Sequence, residues 1–408
     1  MNRKIGTLVL MWAVLYLTAF LTCNPDSATG ADNTEPQINR SVVMSGLSNP
    51  WDLAFAPDGA LLFTEKCRGL SVRTPDGAVR RLFGKARSAL EAKDFFCQGQ
   101  SGMLGLALDP AFAENRFVYV FMASNSGKAK TNHVVRITVD TSYTVVTNRK
   151  DIVTDIPFKQ SLNLWGGAGA HSGGRIRFSS FDGYLYVTTG DNHNGALPQN
   201  LSSLGGKVVR IDRDGKAANG NNTPSGGDPR IFTYGHRNVQ GVAFRPGTGQ
   251  PFACEHGPGH NDEVTPLIAG GNGGWDPAPT QGVSCASSYC GYTSNKPEGT
   301  PTPMTDVARF PRALKPSWNN RGASEGMGPC VFLAGSRWKP WDGWLAVGFL
   351  RGARIDLLRL NEAGLTTSTI RIPGLPSQRI RSLVLGPDSA LYVATDEGEI
   401  WRLESTGK

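Results

Sequence analysis

The sequence lacks the patterns that usually mark a structural zinc site or a nucleic-acid-binding surface. It has no CxxC pair and no histidine-rich segment, which argues against a structural zinc ion. Its formal charge of +8 is spread along the chain without a block of lysine or arginine. Because proteins that bind polynucleotides concentrate positive charge on one face, we expect no nucleic-acid partner.

The N-terminus has the layout of a secretory signal. Arg3 and Lys4 precede an uncharged, mostly apolar run over residues 5–22, and small residues then lead to Ala31. We expect residues 1–31 to be a signal peptide that is removed after Ala31, which makes the mature protein periplasmic or secreted. The apolar run is also just long enough to span a bilayer, so a retained anchor is the alternative, and only that alternative predicts contact with a membrane.

Six cysteines follow Cys23, and an even number in an exported chain predicts disulfides. Cys285 with Cys290 is the most local pairing. Cys67 with Cys97 would join two neighbouring repeat units, and Cys254 with Cys330 would remain. Spacing alone leaves other connectivities open.

A loose repeat and a high content of turn-forming residues favour an all-β fold. The 50 glycines and 26 prolines suggest short strands joined by tight turns. A polar or glycine-containing segment, a strand, a turn like Pro-Asp-Gly and a second strand recur six times, beginning near residues 50, 100, 171, 235, 326 and 380. Each unit has room for four strands. We therefore predict one domain over residues 40–405, a six-bladed β-propeller of four-stranded antiparallel sheets, with insertions near residues 141–170 and 270–320.

Polar residues recur just before or within the first strand of several units. In a propeller these positions face the central channel, so their side chains should converge on one cavity. Each has an ordinary structural explanation as well, such as a hydrogen-bonded histidine or a solvated arginine, but those explanations do not predict the recurrence. The converging residues are Gln100, His171, Arg237, Asn238, Arg379 and Arg381.

Seven motifs in order make the chain resemble the soluble sugar dehydrogenases that depend on calcium and pyrroloquinoline quinone. They are WDLAFAPDG, GQSGMLGLALDP, HSGGRIRF, GHRNVQGVAF, EHGPGHNDE, FLRGARI and QRIRSLVLGPDSALYV. The resemblance covers nearly the whole chain after the N-terminal segment. It implies that an aldose is oxidised at its anomeric hydroxyl to a lactone, with hydride transfer to the quinone and electrons passed to an external acceptor.

The resemblance also implies a role for individual residues. His171 matches the catalytic base, and Arg237 matches a contact of both the active site and the cofactor. Gly257 and Pro258 match the backbone carbonyls that bind calcium, and Asp262 and Glu263 are expected to support that loop directly or through water, unless they form an ordinary acidic turn. The remaining cofactor contacts are Gln100, Asn238, Arg379, Arg381 and Arg351, which stands where the family commonly has a lysine.

Besides Arg351, two features depart from the family pattern. Ala170 stands where an acid often precedes the catalytic histidine, so another group must orient His171. The loop over residues 270–320 looks peculiar to this chain, and its aromatic residues either stack on a pyranose or pack the loop; they are Trp275, Tyr289 and Trp318.

Two other functions remain as alternatives. A calcium-dependent propeller hydrolase, such as a lactonase, would need a cage of carboxylate and amide side chains. A non-catalytic extracellular scaffold would need no shared cavity.

Overall fold

Six small β-sheets form the part of the chain that the computed structural model describes, residues 37–160, 166–292 and 301–406. Each sheet has four antiparallel strands, and two of the sheets gain a fifth, two-residue parallel strand. The six repeat units correspond to the six sheets, so the predicted six-bladed β-propeller is confirmed.

Blades one to three follow one another along the chain. Blade one consists of Pro50–Phe55, Leu61–Glu65, Gly69–Arg73, Val79–Gly84 and Leu90–Glu91. Blade two consists of Met103–Leu108, Phe117–Ser124, Thr131–Val139 and Val146–Ile156, with the short helix Phe112–Asn115 between its first two strands. Blade three consists of Ile176–Phe178, Leu185–Thr188, Val208–Ile211, Ile231–Tyr234 and the distant Gly271–Asn272.

Blades four to six complete the ring. Blade four consists of Val239–Phe244, Pro251–Glu255, Glu263–Pro266 and Trp318–Asn319, and the 3₁₀ turn Ala286–Ser288 lies in the insertion before its last strand. Blade five consists of Met327–Phe332, Leu345–Phe349, Ile355–Leu360 and Thr366–Arg371, with the 3₁₀ turn Ser336–Trp338. Blade six consists of Ile380–Leu385, Leu391–Thr395, Ile400–Ser405 and Ile38–Met44.

The last blade takes its outermost strand from the opposite end of the described chain. Ile38–Met44 pairs antiparallel with Ile400–Ser405. This strand is not part of the sequence repeat, because it lacks the turn like Pro-Asp-Gly that marks the six units. Its pairing closes the ring and covers an edge that would otherwise be exposed.

The turns explain why the repeat is visible in the sequence. In blade one, Asp58 accepts a hydrogen bond from the Ala60 N–H at 3.1 Å, and Gly59 follows with a φ of 84°. Glycine adopts this left-handed conformation without the steric cost that a side chain would add. Asp-Gly therefore reverses the chain between the first two strands of the blade.

The apolar core lies between neighbouring blades. Between blades one and two, for example, Leu62 and Val72 belong to the same buried cluster as Val120 and Val135. No single sheet could bury both of its faces, so stacking around the ring supplies the stability.

The predicted insertions are only partly right. Residues 146–156 form the outer strand of blade two, so the first insertion is shorter than expected. The second, over residues 270–320, is a long excursion in which the only regular strands among the described residues are two-residue pieces. The alternating pattern of Val146–Ile156 is weak because the strand is an irregular outer strand with several bulges.

Two of the predicted disulfides are present, Cys67–Cys97 and Cys285–Cys290. The third was wrong, because Cys254 and Cys330 are free thiols. Both are buried in the apolar cluster between blades four and five, and burial raises the pKa of the Cys254 thiol well above its ordinary value. They pack there as small apolar side chains.

Within the described ranges, no helix is long and apolar enough to cross a membrane. The apolar run over residues 5–22 and the predicted cleavage after Ala31 lie outside those ranges.

Candidate active site

A cavity of about 350 Å³ lies where the leading segments of the inner strands meet. Its volume is in the range of ligand sites in proteins. The structure brings together on its wall five of the residues that the repeat positions predict: Gln100, His171, Asn238, Arg379 and Arg381.

His171 is held by a buried carboxylate on the neighbouring turn. Its Nδ1 lies 2.6 Å from Oδ1 of Asp191, which also accepts the backbone N–H of His193 at 2.9 Å. The other oxygen of Asp191 accepts hydrogen bonds from Trp275 Nε1 and Tyr289 Oη, each at 2.9 Å. Asp191 therefore holds the proton of His171 on Nδ1 and leaves Nε2 as the basic nitrogen. This carboxylate is the orienting group that Ala170 cannot supply.

The backbone at His171 has an unusual conformation. Its φ is 52°, in the left-handed region that few non-glycine residues occupy. Asn192 Nδ2 donates to the His171 carbonyl at 2.9 Å, and a β-carbon at Gly190 would lie 2.1 Å from that same carbonyl oxygen. The surrounding turns thus impose the conformation, as is common where a side chain must be aimed at a site.

The imidazole of His171 is neutral near pH 7. Burial lowers its pKa well below the ordinary value, and the positive charge of Arg237 lowers it further. His193 packs against it, with ring centroids 3.6 Å apart, and burial likewise keeps the pKa of His193 low. A neutral imidazole is the form that can accept a proton.

The GHRN segment is fixed by a glutamate that sequence reasoning did not select. Glu255 accepts a hydrogen bond from the Arg237 backbone N–H and lies 2.9 Å from Nδ1 of His236. The buried guanidinium of Arg237 donates to the His256 carbonyl and to Tyr292 Oη, both at 2.7 Å. His256 and Tyr292 line the cavity, so Arg237 contacts its wall and forms a layer directly behind it.

Three cations also line the cavity. Arg379 and Arg381 both bind Asp396, and Arg381 also donates to Gln240 at 3.2 Å. Lys66, which the sequence analysis did not select, also lines the cavity. It had no distinguishing signal, because it occupies a turn between the second and third strands of blade one rather than a segment leading into a first strand.

Arg351 does not reach this cavity. It lines a neighbouring hollow with Arg354 and Glu325, while the preceding residue, Leu350, is on the wall of the first cavity. Leu350 and Arg351 lie in the bend that follows the strand Leu345–Phe349, and of the two only Leu350 contributes to the wall of the first cavity. The sequence position matched a family lysine, but the structure does not bring Arg351 to the other candidate residues.

The EHGPG segment forms a buried loop braced from behind. Asp262 accepts the Gly257 N–H at 2.8 Å, Ser324 Oγ at 2.6 Å and the Glu325 N–H at 2.7 Å, so both of its oxygens are engaged. Among the described residues, none donates a hydrogen bond to the carbonyl oxygen of Gly257 or Pro258. Asp262 therefore shapes the loop, and it leaves the two carbonyl oxygens without a hydrogen bond from the described residues.

Glu263 has a poor environment for a calcium ligand. It is buried, accepts a hydrogen bond from Thr305 Oγ1 at 2.9 Å, and is not on the cavity wall. Burial, together with the neighbouring charge of Glu255, raises its pKa to about 8. To bind calcium, this carboxyl group would first have to release its proton.

The raised pKa of Glu263 predicts a loss of stability at alkaline pH. The folded state keeps a proton that the unfolded state, with an ordinary pKa of 4.5, releases, so this stabilisation is present below about pH 4.5 and disappears as pH rises through about 8. Glu263→Gln should therefore be more stable than the unmodified protein at pH 9, by on the order of 2–4 kcal/mol.

Urea unfolding monitored from pH 5 to pH 9 checks this. The exposed Glu114→Gln is the control and should leave the pH profile unchanged. If the free energy of unfolding varies with pH in the same way for Glu263→Gln and the unmodified protein, the prediction is contradicted.

The candidate sugar platforms prove to be structural. Trp275 and Tyr289 are fully buried, and both donate to Asp191. Trp318 lies 6.1 Å from the Phe349 ring, centroid to centroid, and lines the neighbouring hollow. Tyr292, just after the Cys285–Cys290 disulfide, is the tyrosine of this loop that faces the cavity.

A buried histidine supported by a carboxylate, next to a cavity lined by cations, is a site that suits proton transfer beside an anionic ligand. The chain belongs to the glucose/sorbosone dehydrogenase family, whose model matches residues 47–402. It is accordingly an oxidoreductase that acts on sugars.

Individual relatives agree with this assignment. The chain is 30% identical to aldose sugar dehydrogenase YliI of Escherichia coli, over 90% of this chain and 92% of that protein. It is 26% identical to quinoprotein glucose dehydrogenase B of Acinetobacter calcoaceticus, over 72% of this chain and 64% of that one. The solved PQQ-bound form of the aldose sugar dehydrogenase of Streptomyces coelicolor superposes with a TM-score of 0.68, at 25% identity over 91% of this chain and 99% of that one.

Proposed function

We propose that this protein oxidises aldose sugars at the anomeric hydroxyl to lactones, using pyrroloquinoline quinone and calcium and passing electrons to an external acceptor. The observation that carries the proposal is the His171–Asp191 pair, which opens onto a cavity bordered by Gln100, Asn238 and a group of cations.

The cavity suits an anionic quinone. Pyrroloquinoline quinone carries three carboxylates, and burying them without cations would be costly. Lys66, Arg379 and Arg381 supply positive charge on the cavity wall, and the amides of Gln100 and Asn238 supply hydrogen-bond donors. These are the residues that would hold the cofactor.

The EHGPG loop suits calcium through its backbone. Calcium accepts carbonyl oxygens readily, and the carbonyls of Gly257 and Pro258 are buried next to the cavity residue His256. A β-carbon at Gly257 would lie 2.0 Å from the His260 carbonyl, so this tightly folded loop requires glycine there. Glu263 is not included in the proposed ligand set, and Asp262 has the supporting role.

When bound, the quinone would accept hydride and the calcium ion would polarise it. This chain's own contribution is to move and stabilise a proton. His171 Nε2 accepts the proton of the sugar hydroxyl, and the resulting imidazolium is stabilised by Asp191 across the 2.6 Å hydrogen bond. Because Arg237 and the buried surroundings disfavour the imidazolium, His171 readily releases the proton again once the product leaves.

The cavity does not favour the hydrolase alternative. A calcium cage would need several free carboxylates, but Asp396 is the carboxylate on the described wall and it already binds Arg379 and Arg381.

The two disulfides support the proposal that the protein is exported. Disulfides persist in oxidising compartments, and Cys67–Cys97 and Cys285–Cys290 both brace segments that contribute cavity residues. A periplasmic or secreted location would also give the enzyme direct access to extracellular sugars.

The test is to add pyrroloquinoline quinone and calcium to the purified protein and follow dye reduction with a panel of aldoses. We expect saturable cofactor binding and aldose-dependent turnover. His171→Ala should bind the cofactor with unchanged affinity yet lose turnover by about a hundredfold or more, because general-base catalysis is removed. His171→Gln, which keeps more of the side-chain volume, should lose as much.

Two results would count against the proposal. If the unmodified protein does not bind the cofactor in excess calcium, the dehydrogenase assignment for this chain fails. If His171→Ala retains turnover, the base is a different residue.

A further inference from the structure

The positive charges at the cavity are not balanced by the carboxylate beside them. Arg379 Nε and Arg381 Nη2 both contact Oδ2 of Asp396, at 2.8 and 2.7 Å, so one carboxylate is shared by two arginines. Lys66 Nζ donates instead to the backbone carbonyl of Gly99, at 2.9 Å, and forms no ion pair with any described residue. On the cavity wall, the three cations exceed the one carboxylate by two charges, while Glu397, which accepts the Arg379 backbone N–H, lies off the wall.

Lys66 is also held in place on several sides. Its backbone N–H donates to the Asn49 carbonyl at 3.1 Å, and its carbonyl accepts the Met103 N–H at 2.8 Å. The next residue forms the Cys67–Cys97 disulfide, which ties this turn to the segment that carries Gln100. A half-buried ammonium fixed at a cavity wall without a counter-ion does little for stability, which suggests that its partner is a ligand.

The surroundings of Lys66 oppose its charge when the cavity holds no anion. Burial lowers the pKa of Lys66, and the positive charge of Arg381 lowers it further, while Asp396 only partly offsets them. A bound anion would relieve this repulsion, so the charged lysine and an anionic ligand should stabilise each other.

We propose that Lys66 binds a carboxylate of the quinone cofactor. Its ammonium group supplies, from blade one, the positive charge that Arg351 does not bring to the cavity. This inference rests on the proposed function. It assigns to this chain a cofactor-binding cation on a different blade from the position at which the family pattern has its lysine. The Cys67–Cys97 disulfide then positions two cofactor contacts, Lys66 and Gln100, at once.

The experiment measures cofactor affinity rather than turnover. Pyrroloquinoline quinone is titrated into the unmodified protein and Lys66→Met at fixed calcium, with tryptophan fluorescence as the signal, since Trp51 lines the cavity. We expect the Kd of Lys66→Met to rise by about tenfold, which is the typical size of one charge-assisted hydrogen bond, and Lys66→Arg to recover part of the loss. The affinity of Lys66→Met should also depend less steeply on salt.

Two controls separate a binding role from structural damage. Lys85→Met removes a lysine of the same blade that also donates to a carbonyl, that of Phe95 at 2.8 Å, but it lies away from the cavity and should leave the Kd unchanged. The trimethyl ester of the cofactor, which has no carboxylate charge, should bind the unmodified protein and Lys66→Met equally.

Each outcome decides the matter. If Lys66→Met binds the acid form as tightly as the unmodified protein, the inference is overturned. It is also overturned if Lys66→Met weakens acid and ester equally, since the effect is then structural. If the unmodified protein binds neither form, the proposed function fails, independently of Lys66.

Discussion

Asp191→Asn is expected to reduce turnover by about a thousandfold while leaving cofactor affinity unchanged. The asparagine retains the shape of the aspartate, but it cannot stabilise an imidazolium and no longer holds the proton on Nδ1 of His171. The same change behind the histidine of a serine-protease triad costs about 10⁴-fold. Steady-state kinetics with a saturating aldose and a titration of pyrroloquinoline quinone measure the two effects separately.

Tyr289→Phe is the matched control for this prediction. It removes one hydrogen bond to the same carboxylate, 2.9 Å long, but leaves the charge and the contact with His171 in place. We expect less than about a tenfold change in its turnover, since one hydrogen bond typically contributes about 1 kcal/mol. A similar loss in both variants would mean that Asp191 acts by anchoring the loop rather than by supporting the base.

Asp52→Asn is expected to cause the largest loss of stability, about 3–5 kcal/mol. Asp52 is fully buried in blade one and binds Arg175 and Arg177 of blade three. It also accepts the Leu106 N–H of blade two at 2.9 Å and Ser382 Oγ of blade six at 2.8 Å. Removing its charge leaves two arginines without their shared partner at the point where four blades meet.

Asp214→Asn provides the comparison for this effect. Asp214 also binds two cations, Arg136 and Lys150, but its side chain is 48% exposed. Exposed ion pairs contribute about 1 kcal/mol or less, so its unfolding midpoint in urea should barely move. Equal shifts in the two variants would show that the central network contributes no more than a surface pair.

The Asp52 network also holds two residues of the cavity wall in place. Arg175 Nη2 donates to the Arg381 carbonyl at 2.7 Å, and its guanidinium lies 4.1 Å from the centroid of the Trp51 ring. Arg381 and Trp51 both line the cavity. Binding geometry on one side of the channel therefore depends on a buried charge network shared among the blades.

The repeat pattern was enough to predict the convergence of distant residues. Gln100, His171 and Asn238 lie far apart in sequence, but each precedes the first strand of its blade. Because every blade places that segment at the axis, equal positions in the repeat become neighbours in space. Arg379 and Arg381 followed from the same rule.

The partners of these residues could not be predicted in this way. Asp191 ends the motif VTTGD, so an acid at the end of the second strand was a visible signal, but nothing in the repeat connects it with His171. Lys66 lies in a turn with no counterpart among the leading segments. Their positions depend on how adjacent turns pack, and turn packing has no sequence period.

Residues of the same chemical type can lie in different environments, which the sequence does not reveal. Asp262 and Glu263 are consecutive acids. Asp262 accepts three hydrogen bonds behind the EHGPG loop, whereas Glu263 accepts one from Thr305 in a buried site that raises its pKa to about 8. Arg351 likewise lines a neighbouring hollow, although the preceding residue, Leu350, is on the cavity wall.

By itself, the sequence determined the six-bladed architecture, the identity of His171 as the candidate base, and two disulfides joining segments close in sequence or in neighbouring repeats. The architecture and the disulfides follow from local turns, short separations and periodicity, which a single chain displays directly. The choice of His171 rests on the resemblance of its motif, HSGGRIRF, to the sugar dehydrogenases. Only the tertiary structure decided which carboxylate supports His171, that Cys254 and Cys330 are thiols, that Ile38–Met44 closes the ring, and which cations face the cavity. Those outcomes depend on contacts between blades, where burial and geometry rather than sequence spacing select the partner.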